Sequence, residues 1–195
     1  MNKNEILSLF YSNILKLSSL SEEEFSIAIS AIKNYYIGPI NYFESLLDNI
    51  ATTLKDSDNE TTIKLIQEEI TSEKIKQYTE KENYTKQRQD LYNEINTHLY
   101  TIIKLLENNI FPKEEYTKIN NILNRYKRNA KDIIQILGNK KTLNVIKQEI
   151  INNTFALKNE KKEDLINMAK VLNPVLNNEN IKNVINKKNN SKGKK

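Results

Sequence analysis

The chain has 195 residues, 38% of them apolar and 28% charged, and a net charge of +5. It has no Cys, which excludes disulfides, thiolate zinc sites, iron–sulfur clusters and cysteine nucleophiles. No run approaches the roughly 18 apolar residues that a membrane-spanning helix needs, and Ser8, Ser12, Asn13 and Lys16 interrupt the start of the chain, leaving no clean signal-peptide core.

Apolar spacing is helical throughout, and no stretch alternates over strand length. The first helix spans 3–19, with Leu7, Phe10, Ile14 and Leu17 as its stripe. Ser21-Glu22-Glu23-Glu24 is a capping box, with Leu20 and Phe25 placed for a hydrophobic staple. The helix it opens is expected to end near Ile37, because Gly38 offers a left-handed position and Pro39 blocks continuation. Pro39 can open the next helix, striped by Phe43, Leu46, Leu47, Ile50 and Leu54, before a loop at 56–59. A helical pattern then runs from 60 to 109. Unbroken, it would be about 75 Å long, so it either breaks near 72 or 83 or protrudes. Its second part is striped by Leu91, Ile95, Leu99, Ile102 and Leu106. Phe111-Pro112 ends it. A helix from Lys113 to Leu137 follows, closed by Gly138 as a C′ residue. Further helices are expected over 141–157 and 161–172, with a weak last one through Leu176, Ile181 and Ile185. The fold class is therefore all-α: an elongated bundle of about seven or eight helices with a disordered basic tail.

Charge divides the chain. Residues 1–110 hold 11 basic and 17 acidic side chains, a net of −6, and residues 111–195 hold 19 and 8, a net of +11. Six Lys lie in the last fifteen residues. This outlines an acidic helical part over 1–110, a basic helical part over 111–186 (one continuous domain with the first is the alternative), and a disordered Lys-rich tail over 187–195. The 30 Asn, 27 Ile and 27 Lys share A/T-rich codons and report a base-skewed genome more than a mechanism.

Few constellations carry chemistry. The three Gly are too far apart to cradle a phosphate. The one His, His98, shares a helix face with Asp90 and Glu94, but a di-metal site in a bundle needs a second such helix and there is no second His. Neither a metal nor a cofactor is expected. Glu68/Glu69 and Glu114/Glu115 lie in runs that look exposed. The densest internal basic group is Arg125, Lys127, Arg128 and Lys131, with Lys118 on the face of Arg125 and Arg128. It suits phosphate contact, or pairing with the acidic first half. Lys187, Lys188, Lys192, Lys194 and Lys195 form either a phosphate-binding arm or a solubilising terminus. The ten Tyr, among them Tyr84, Tyr92 and Tyr100 at eight-residue spacing, suit packing and partner contact. A helix-turn-helix reader is a weaker variant; its nearest candidate helix follows Gly138 and would expose Lys141, Asn144 and Lys147.

The leading expectation is a non-enzymatic helical interaction or structural protein: an adaptor, scaffold or assembly component, of which a part of a virus, phage or other mobile element is one version. The alternative is a nucleic-acid-associated protein making non-specific phosphate contacts through the basic half and tail. Expected partners are a protein or a second copy, and nucleic acid through the tail. Neither a membrane nor a small-molecule substrate is expected. The expected location is the cytoplasm, or a host-cell cytoplasm or virion.

Overall fold

A computed structural model describes residues 2–75 and 86–152. The helix expected at 161–172, the weak last helix and the tail lie outside the described residues. Those described are all-α: six helices with both ends described, the start of a further one at 73–75, and no strand. The six are α1 (Lys3–Ser18), α2 (Glu22–Asp56), α3 (Asn59–Ile70), α4 (Lys86–Glu107), α5 (Lys113–Leu137) and α6 (Lys140–Ile151). Among them no helix is long and apolar enough to cross a membrane.

Side-chain caps set most of the starts. Asn2 and Glu5 form a capping box on α1. At α2 the Glu24 amide donates to Ser21 Oγ at 3.2 Å, and the Ser21 amide donates to the Glu24 carboxylate at 2.9 Å, the reciprocal pair expected from the sequence. The Thr61 amide donates to Asp58 at the start of α3, and Asn139 accepts from Lys141 and Thr142 at the start of α6. Thr71 caps the C-terminus of α3, so the long pattern after residue 60 breaks at 71–72, one of its two expected places.

Two boundaries and the conformation of one boundary glycine differ from expectation. Gly38-Pro39 does not end a helix, because α2 passes through both residues. Pro39 removes one backbone donor and crowds the preceding turn, at a cost of about 3 kcal/mol or more. Burial of Ile32 before it and of Ile40, Phe43, Leu46 and Ile50 after it offsets that loss. Gly38 is not left-handed either. Gly138 likewise has no positive φ; it is needed for close approach, since a Cβ there would meet the Ile134 carbonyl oxygen at 2.7 Å. Third, α6 stops at Ile151, six residues early, where Asn152 caps it. Asn is a poor helix former, and its side chain competes for backbone groups.

The described residues form two compact units. One holds 2–35 and 130–152, with Phe10, Ile14 and Leu17 of α1, Phe25, Ala28 and Ile32 of α2, and Leu143 and Ile146 of α6 buried in its core. In it α6 packs on α1. The other holds 36–75 and 86–129; α3 packs on α4, and the expected stripe Leu91, Ile95, Leu99, Ile102 and Leu106 is buried. The dividing points fall within α2, between Tyr35 and Tyr36, and within α5, between Asn129 and Ala130.

Candidate functional site

The polar side chains that the sequence singles out meet along the seam of α4 and α5, inside the second unit. The α4 stripe turns Leu91, Ile95 and Leu99 inward, which leaves Asp90, Glu94 and His98 near the seam's edge. The facing helix, α5, buries Ile119, Ile122 and Leu123.

His98, Glu115 and Lys118 form one cluster. His98 Nδ1 lies 2.5 Å from one Glu115 oxygen, and Lys118 Nζ lies 2.6 Å from the other. Glu115 is only 6% exposed, so it is not the exposed carboxylate that its sequence neighbourhood implies. Burial pushes its carboxyl up, but hydrogen bonds from Lys118 and His98 outweigh that, and its pKa is held below the ordinary value. An ionised carboxylate can only accept, so His98 Nδ1 carries the proton and donates it to Glu115. Glu115 raises the Lys118 pKa in turn.

A second cluster lies further along the seam. Arg125 donates to Glu94 at 2.5 Å, and its guanidinium lies 5.3 Å from the centre of the Tyr126 ring. The Tyr126 hydroxyl donates to the other Glu94 oxygen at 3.5 Å, at the limit of a hydrogen bond. Burial, helped by the Glu94 charge, pushes the Tyr126 phenol up to about 12, so it stays a neutral donor near pH 7. These groups line an open groove of about 390 Å³ with Asp90, Asn93 and Asn129. Lys127, on another side of α5, pairs with Glu44 of α2 at 2.9 Å.

Members of the expected basic group share α5 but differ in their partners. Lys118, Arg125 and Lys127 each hold a carboxylate, two of these (Glu94 and Glu44) from the acidic first half. Arg128 and Lys131 are exposed and have no partner among the described residues, and Lys131 belongs to the other unit. Lys187, Lys188, Lys192, Lys194 and Lys195 lie outside the described residues. Asp90, Glu94 and His98 do not converge, and among the described residues no group of three potential ligands is placed to hold a metal ion.

Sequence reasoning missed the His98–Glu115 contact, which spans seventeen residues and has no local spacing signal. One clue was present. Glu115 stands four and seven residues before Ile119 and Ile122, on the apolar stripe of α5.

The α4–α5 corner was also missed as a surface. Asn109 adopts φ 56°, the Ile110 amide donates to the Leu105 carbonyl and the Asn109 amide to that of Leu106, which is a Schellman ending. Asn59 Nδ2, from the start of α3, donates to the Leu106 carbonyl and to the Asn109 side chain. The next two residues, Ile110 and Phe111, are 52% and 68% exposed. The Phe111 ring stacks on Tyr116, with centroids 6.4 Å apart.

Comparison with protein-family models, with curated proteins and with solved structures finds no match for this chain.

Proposed function

We propose that this chain is a non-enzymatic helical interaction protein, an assembly component, adaptor or scaffold, that associates with further copies of itself. The observation that carries the reading is the exposed Ile110–Phe111 pair. A corner held by backbone bonds on both sides, and by Asn59 from another helix, presents two large apolar side chains to solvent. Adjacent exposed apolar groups on a rigid element have the character of a contact surface, and Phe is enriched at interface centres. The seam beside it supports the same reading. Glu115 is paired with His98 and Lys118, Glu94 with Arg125, and the Tyr126 phenol is held neutral, so most of the seam's polar groups are engaged with one another.

Light scattering of the full chain across a range of concentrations tests the proposal. A mass that rises above 22.8 kDa with concentration is the expected result. A strictly monomeric chain at every concentration contradicts it.

A second reading, contact with nucleic acid, moves away from the α5 group, most of whose cations are paired. What favours it is the helix that follows.

A further inference from the structure

We infer that the exposed face of α6 is a contact surface for the major groove of duplex DNA, reached by Lys141, Asn144 and Gln148.

The opposite face of α6 is used already. Leu143 and Ile146 are buried, and the helix packs on α1 within one unit. At 3.6 residues per turn, Asn144, Gln148, Lys141 and Val145 then fall within one arc of about 100°. All four are exposed. Lys141, Asn144 and Gln148 make no side-chain hydrogen bond or ion pair among the described residues. The one acid of the helix, Glu149, stands outside the arc. Lys147, expected on this face, is half-buried beside it. The neighbouring lysine is the contrast: Lys140 pairs with Glu22 at 2.8 Å and lies over the Phe25 ring.

The face is also held in place. The turn from α5 takes two residues, Gly138 and Asn139. Gly138 packs where a Cβ would strike the Ile134 carbonyl oxygen, and the Asn139 side chain caps the first amides of α6. Side chains on a rigid helix lose less freedom on binding than side chains on a loop.

A cation, two amides and an exposed aliphatic group with no carboxylate complement a polyanion with polar base edges. Asn and Gln amides pair with adenine N6 and N7, a valine methyl suits the thymine methyl, and Lys takes phosphate or guanine. The chain's net charge of +5 favours approach to a polyanion. The major groove of B-form DNA admits an α-helix, and the deep, narrow one of A-form RNA does not. The occupant is therefore duplex DNA with A·T pairs. This inference does not rest on self-association, and a monomeric chain would leave it standing.

Fluorescence anisotropy of the full chain with a labelled A·T-rich duplex, a G·C-only duplex and a single-stranded RNA decides it. The A·T-rich duplex should bind at low salt, several-fold tighter than the G·C-only one. Asn144→Ala with Gln148→Ala should remove that preference and weaken A·T binding about tenfold. Lys141→Ala should weaken both duplexes alike and lower the slope of log affinity against log salt by about one. These positions are exposed, so unfolding midpoints should stay unchanged. No duplex binding at low salt overturns the inference. So does unchanged affinity in the Asn144/Gln148 double variant, or tighter binding to the RNA than to either duplex.

Discussion

The α4–α5 seam and the α4–α5 corner belong to one unit and invert what their compositions imply. The seam is rich in charge, yet Glu94, Glu115, Lys118 and Arg125 face one another and little of that charge is left over. The corner is apolar, yet Ile110 and Phe111 face solvent. A cluster of cations in a sequence thus says little about a charged surface until its partners are known. An apolar residue in a connection is informative because no stripe accounts for it.

Substitutions along the seam should have effects that fall in a graded order. Leu99, 1% exposed beneath the seam, should show the largest. Leu99→Ala should cost about 2–5 kcal/mol in urea unfolding, and a midpoint equal to the parent's would mean the seam is not packed as described. Glu115→Ala comes next, at about 1–3 kcal/mol, because it leaves the His98 donor without its acceptor.

That residue also carries a pH signature. The folded pKa of Glu115 lies below its ordinary 4.5, so its contribution is present above that value and lost as pH falls through the folded pKa. Glu115→Gln should therefore flatten the acid limb of a plot of stability against pH. An acid limb identical to the parent's would remove Glu115 from the account.

The rim should matter least. Glu44→Ala breaks a pair whose side chains are 37% and 52% exposed, and should cost less than about 1 kcal/mol. A loss as large as that of Glu115→Ala would erase the distinction between buried and exposed pairs.

Much of this arrangement is legible in the sequence. The expected bounds of α5, Lys113 and Leu137, are those observed, because Pro112 before it and Gly138 after it bracket an unbroken stripe. The Ser21–Glu24 cap is legible because it is local. Gly38-Pro39 misleads for the converse reason: a local breaker yields when the flanking side chains are buried, and burial is decided by distant residues. The pairings of Lys127 with Glu44 and Arg125 with Glu94 span 83 and 31 residues, so spacing rules could name the cations but not the carboxylates that take them. Asn109 in a left-handed ending leaves only a faint mark, since Asn is the commonest residue of the chain.

We propose that the corner, not the seam, is the working surface. The most direct test is Phe111→Ser, followed by light scattering and urea unfolding on the same sample. Phe111 is 68% exposed, and its ring stacks on Tyr116. Removing that stack should lower stability by under about 1.5 kcal/mol. The predicted result is a parent that forms assemblies and a stably folded variant that scatters as a monomer of 22.8 kDa. A folded variant that assembles as readily as the parent would contradict the account.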